Sequence, residues 1–397
     1  MVPPATSHAP FRVGTSTTTS TTETTTHTGE PLSDHTGIEW TDATWNPATG
    51  CTKVSAGCDN CYAEKIAHRF AGTSAYPNGF EVTLRPERLD WPLRKRKPLR
   101  IFVNSMSDLF HDQVPDEYIA KVFAVMAAAR HHTFQVLTKR HGRMRSLLSS
   151  EAFRDGVAEY AQQHADPTRG GSIPTGPWDG PEWWPLWNVW LGVSTENQKW
   201  ADVRIPALLD TPAAVRFISA EPLLGPIDLL GDTENPGPAI VRTGVQLHPD
   251  GPWGPAEYDH DDQIGIDWVI TGGESGPGAR PAHPQWFRSL RDQCQAAGVA
   301  FLHKQHGEWI EDVTEYPANP ECGIDEPYRV LNVPRDAKDR KRCALHLCGS
   351  TALTPDNPFN PFTAGHGGWT AMRRVGKKHA GRELDGRTWD EYPEVTR

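Results

Sequence analysis

The chain has 397 residues, room for one large domain or two ordinary ones, and its 37% hydrophobic content supports a packed core. Fifty acidic against forty basic residues give a formal charge of −10, which excludes a general polyanion binder but not a local basic groove. No run of about 18 apolar residues occurs, and Met1 to Arg12 lack the regions of a signal peptide, so a cytoplasmic chain with no membrane span is expected.

Residues 1–36 read as a disordered leader, because the Thr-rich tract Thr15 to Thr22 cannot bury a core. Short apolar runs of buried-strand type follow. The first covers Ile38 to Trp45, and the others are Arg100–Asn104, Thr133–Thr138, Val189–Val193, Val215–Ser219, Asp267–Thr271 and Val299–His303. Helical patterns over Tyr62–Phe70, Asp116–Arg130 and Pro284–Ala297 lie between them. Near-continuous apolar strands alternating with helices predict an α/β fold with a parallel sheet covered on both sides, an incomplete TIM-type barrel over residues 37–310. Residues 164–187 and 231–263, rich in Pro and Gly, read as insertions. Residues 311–397 read as an irregular C-terminal extension ending in a basic segment.

Each predicted strand ends in polar or ionisable residues, and a parallel barrel gathers those ends on one face, where barrel enzymes do chemistry. Asn104 and Asp108 follow the second strand, Ser194 and Glu196 the fourth, Glu221 the fifth. Gly272, Gly273 and Glu274 follow the sixth, and Lys304 closes the seventh. Asp108 and Glu221 are candidates for proton transfer or for binding an ammonium or ribose. A lysine at a strand end needs a partner or a task, which makes Lys304 a third catalytic candidate.

The strongest motif is Cys51-x6-Cys58-x2-Cys61, between the first strand and the first helix. Thiolates are soft ligands that select zinc, Cu(I) or iron–sulfur clusters. Gly50 and Gly57 let the backbone wrap closely, and the helix beginning at Tyr62 points its positive end at an anionic group. Structural zinc normally closes with four ligands, whereas three thiolates on a four-iron cluster leave one iron open. A cluster is the first reading. Zinc completed by a distant Cys or His, and unliganded thiols, stay open.

The stretch Ile38-Glu39-Trp40-Thr41-Asp42-Ala43-Thr44-Trp45-Asn46-Pro47 and the cysteine segment resemble a three-Cys-motif, phage-type family of unassigned function that is grouped with radical S-adenosylmethionine (SAM) barrels. The resemblance continues through Asn104–Phe110, Leu137–Arg140, Gly192–Asn197, Ser219–Leu223, Gly272–Gly276, Lys304-Gln305, Gly376–Lys378 and Leu384–Arg387. It implies a radical SAM barrel carrying a 4Fe-4S cluster on Cys51, Cys58 and Cys61, with S-adenosylmethionine bound at the open iron. Gly272-Gly273-Glu274 resembles the motif that contacts the SAM amino group, and Asn104, Ser194 and Glu196 join it as cofactor-binding candidates. Typical members space their cysteines as Cys-x3-Cys-x2-Cys with an aromatic before the last. Here the first gap is longer, and Asn60 holds the aromatic position.

Three basic clusters, Arg94–Lys97, Lys139–Arg145 and Arg373–Lys378, allow a nucleic-acid groove. Cys322, Cys343, His346 and Cys348 form a possible second metal site, and Cys294 reads as core. The expected function is radical-initiated modification or repair, with a lean toward nucleic acid or a nucleobase. Two alternatives stand beside it. One is a non-catalytic, metal-stabilised nucleic-acid-binding or defence protein working with a partner encoded nearby. The other is a hydrolase using Asp108, Glu221 and Glu274 over structural zinc.

Overall fold

The computed structural model describes residues 36–163, 183–230, 265–318, 326, 328–334, 338–354, 356–361 and 367–394. The leader up to residue 35, the insertion 231–263, most of 164–187 and Cys322 lie outside the described residues.

Seven strands form one sheet in chain order. They are β1 (Ala43–Trp45), β2 (Arg100–Val103), β3 (Thr133–Thr138), β4 (Val189–Ser194), β5 (Val215–Ala220), β6 (Trp268–Gly272) and β7 (Ala300–Gln305). Every neighbouring pair is parallel. β1 and β7 do not pair with each other, so the expected incomplete barrel is a curled half-barrel with two edges. The first strand is shorter than predicted. Thr41 N–H turns back to the Ile38 carbonyl at 3.4 Å, and Trp40 folds beneath the sheet instead of extending it.

Among the described residues, eight α-helices accompany the sheet. They are α1 (Tyr62–Arg69), α2 (Trp91–Arg94), α3 (Asp116–Ala128), α4 (His141–Leu148), α5 (Glu151–Gln163), α6 (Gln198–Leu209), α7 (Pro284–Ala297) and α8 (Lys377–Ala380). Asn197 caps α6, accepting from Trp200 N–H at 3.4 Å. Pro284 opens α7, and Gly298 closes it in the left-handed region at φ 65°.

Side chains of a strand alternate between faces, and this alternation builds two cores. Outward residues such as Ile101, Phe134, Leu191, Ile218 and Val269 pack under the helices against Phe123, Ile205 and Phe287. Inward residues form a separate aromatic floor of Trp40, Phe102, Trp190, Phe217 and Trp268. Gly192 leaves room there, since a Cβ on it would lie 2.5 Å from the Phe217 ring.

The C-terminal region is not irregular. Strand β8 (Trp309–Glu311), β11 (Arg342–His346), β12 (Thr351–Ala352) and β13 (Trp369–Arg374) form an antiparallel sheet in the order β8-β13-β11-β12. β9 (Val313–Tyr316) and β10 (Tyr328–Leu331) pair beside it. Several of these strands are short and half-exposed, so they lack the apolar run by which a buried strand is recognised. The chain then returns beneath the half-barrel, where the Tyr392 ring lies 5.1 Å from that of Trp268.

Candidate functional site

Continuing the inward alternation toward the strand C-termini replaces the aromatic floor with polar side chains. Asn104 follows Phe102, Ser194 follows Gly192, Ser219 follows Phe217 and Lys304 follows Leu302, and all four line one cavity of about 380 Å³. Cys51, Cys58, Cys61, Asp108, Glu221, Gly273 and Glu274 line it as well. The strand-end candidates and the three thiols therefore share one chamber, except Gly272 and Glu196, which sit just behind its wall.

The cysteine loop is tied to several strand ends. Gly50 N–H donates to the Met106 carbonyl at 3.0 Å, and Tyr62 Oη donates to the Ser105 carbonyl at 2.6 Å, both after β2. Ser55 Oγ donates to Glu196 Oε1 after β4. Asn60 Nδ2 donates to Glu274 Oε2 at 2.9 Å after β6. Arg280 completes the last tie. Its Nε and Nη2 donate to Glu274 at 2.9 and 2.6 Å, Nη1 to Asp59 Oδ2 at 3.1 Å and Nη2 to the Ala56 carbonyl at 2.8 Å. Gly57 is required here because a Cβ would run into the Glu196 carboxylate.

The carboxylates differ in how free they are. Asp108 accepts from Thr138 Oγ1 at 2.7 Å and from the Phe110 and Lys139 N–H groups at 3.0 Å, so it fastens β2 to β3. Glu274 is held by Arg280 and Asn60. Burial alone would raise its pKa, but the Arg280 bonds outweigh burial and hold it below the ordinary carboxylate value. Glu196 is fully buried against Arg204 at 2.7 Å. These three act on the frame of the site.

Glu221 and Lys304 face the cavity and pair with each other at 2.9 Å. Gln305 Nε2 also donates to Glu221 at 3.1 Å. A register slip in the β6–β7 ladder leaves Lys304 as the extra residue, so two consecutive side chains reach one carboxylate.

Burial, with Asp108 nearby, pushes the Cys51 thiol up to about 11, opposed by Arg140. A metal entering here must displace that proton. The donor set, three soft thiols lining one cavity, fits an iron–sulfur cluster in its chemistry. Among the described residues no three His, Cys, Asp or Glu side chains converge as a single-ion site would.

Of the second cysteine set, Cys322 lies outside the described residues and His346 Nδ1 sits 2.9 Å from Cys348 Sγ. Cys343 is buried in the core, its thiol pushed up to about 12 by burial, while Cys348 is exposed in a turn. Bonds from Ser350, then from His346, lower the Cys348 thiol to about 7. Cys294 is buried in the core, as expected. Of the basic clusters, Arg94 pairs with Asp90, Arg145 with Asp210, Arg373 with Asp312 and Arg374 with Glu308, whereas Lys139 and Lys377 line the cavity. Arg280 and Arg204 were not selected from the sequence. Arg204 reaches Glu196 eight residues back across a strand-to-helix turn, and Arg280 joins Glu274 to Asp59, 221 residues away, so no helical or strand spacing signals either.

Fold and site define an α/β half-barrel protein with a thiol-lined chamber at the C-terminal ends of its strands. The chain belongs to the family described as "Protein of unknown function (DUF5131)", which matches residues 35–393. No curated protein and no solved structure matches it. Among the described residues no helix is long and apolar enough to cross a membrane.

Proposed function

We propose that this chain is an iron–sulfur enzyme of radical SAM type that starts modification or repair of a nucleobase or nucleic acid. The observation that carries the reading is that Cys51, Cys58 and Cys61 open onto the same chamber as the Glu221–Lys304 pair, at the strand C-termini of a parallel half-barrel. The three thiolates would hold a four-iron cluster with one iron free. When bound, that cluster supplies the electron that reductively cleaves S-adenosylmethionine into methionine and a hydrogen-abstracting 5′-deoxyadenosyl radical.

The chain's own residues do the rest. The aromatic floor of Trp40 and Phe102 keeps the chamber dry below. Glu221 offers an acceptor and Lys304 a donor toward the substrate, and the bond between them holds both side chains at the cavity wall. Lys139 and Lys377 add positive charge to the lining, which favours a phosphate-bearing substrate. Glu274, saturated by Arg280 and Asn60, serves as a strut for the cysteine loop in this reading rather than as a free acceptor.

The test is anaerobic purification followed by iron analysis and absorption spectroscopy. About four irons per chain, and absorption near 400 nm that bleaches on dithionite, are expected. Incubation with S-adenosylmethionine and reductant should then yield 5′-deoxyadenosine. A colourless protein holding one zinc would overturn the proposal.

A further inference from the structure

We infer that Arg140 sets the reduction potential of the group held by Cys51, Cys58 and Cys61, acting as a charge-supplying positioning residue; this rests on the iron–sulfur reading above. The side chain leaves the C-terminal end of β3, where its own backbone N–H donates to Thr138 Oγ1 at 2.8 Å. Nη1 donates to Cys51 Sγ at 3.6 Å. Nη2 donates to Thr52 Oγ1 at 2.8 Å and to the Thr52 carbonyl at 3.4 Å. One guanidinium therefore grips both a ligand sulfur and the residue after it. Among the described residues this is the bond from a charged donor to any of the three sulfurs.

Two carboxylates lie near the guanidinium. Asp108, whose Oδ2 lies 3.6 Å from Nη1, is fixed by shorter bonds from Thr138, Phe110 and Lys139, so its charge is a constant background when Arg140 alone is changed. Asp112, 3.6 Å from Nε, is 87% exposed and screened by solvent. Arg140 itself is 11% exposed, so its field acts across a weakly screening medium. A guanidinium stays charged at any working pH. Reduction adds negative charge to a cluster, and a fixed positive charge with an N–H on a ligand sulfur stabilises that state. Arg140 therefore raises the potential, and it does so from the Cys51 side alone.

The experiment compares wild type, Arg140→Lys and Arg140→Gln, each purified anaerobically, by iron content, thermal midpoint and potentiometric titration followed by electron paramagnetic resonance. Arg140→Gln should keep its iron yet reduce only at a lower potential than wild type. Arg140→Lys, which keeps the charge but loses the fork, should fall between them. Equal potentials in iron-loaded wild type and Arg140→Gln would overturn the assignment while leaving the iron–sulfur reading intact. A wild-type protein without iron would overturn both. If Arg140→Gln sheds iron, the lysine variant decides, because a wild-type potential there refutes a role for the forked sulfur bond.

Discussion

Glu196 and Arg204 have no solvent exposure on either side chain, and the pair sits directly behind the cysteine loop. Among the described residues, Nε and Nη2 of Arg204 have no hydrogen-bond partner, and the guanidinium lies 4.1 Å over the Trp200 ring. Removing one partner strands a buried charge, so Glu196→Ala is expected to cost about 3–5 kcal/mol in urea unfolding. Glu196→Leu combined with Arg204→Met should cost less than either single change, because neither charge is left alone. Arg280→Ala tests the other tie. It frees Asp59 and the Ala56 carbonyl from their link to Glu274 and leaves only the direct Asn60 bond, so alkylation of Cys58 and Cys61 in the metal-free protein should quicken severalfold. Unchanged alkylation would show that the loop holds its shape without Arg280. Glu221, Lys304 and the cysteines were legible in the sequence because residue type and strand-end position coincide there. The fastening roles of Asp108 and Glu274 were not, since the same features describe a free carboxylate and a saturated one.

The alternation of side chains along each strand carries the chain from apolar floor to polar chamber. Gly192 and Phe217 are a sensitive joint in that floor. Gly192→Ala drives a methyl into the ring and should lower stability by about 1–3 kcal/mol, with partial recovery when Phe217→Leu is added, as read from thermal midpoints. β3 and α7 match their predicted bounds because continuous apolar runs and the Pro284 start signal are strong local cues. Other signals misled. Ile38 to Trp45 has the composition of a strand, but Trp40 is drawn under the sheet by Phe102, with ring centroids 4.6 Å apart. The β6–β7 slip that turns Gln305 toward Glu221 has no composition cue at all.

Two buried histidines make the whole molecule sensitive to acid. His132 accepts from Leu99 N–H at 3.1 Å and His283 from Gln285 N–H at 3.1 Å, and burial lowers both to about 4. Unfolded histidine titrates near 6.5, so between about pH 6.5 and 4 the unfolded chain binds protons that the folded chain refuses. Their contribution is fully present above pH 6.5 and falls as pH drops through that window, by a few kcal/mol in total order. His132→Gln with His283→Asn should flatten the pH dependence of the urea midpoint, and an unchanged slope would refute the assignment.

Arg280 and Asp59 lie 221 residues apart. At roughly 5–20 residues per second of synthesis, Cys51, Cys58 and Cys61 leave the ribosome about 10–45 s before the arginine that ties down their loop exists. For that interval the thiols are free in the cell, open to oxygen and to whichever soft metal is abundant. In the iron–sulfur reading proposed above, the frame closes only after these thiols have been made, so oxygen exposure during expression should lower the iron content of the purified protein.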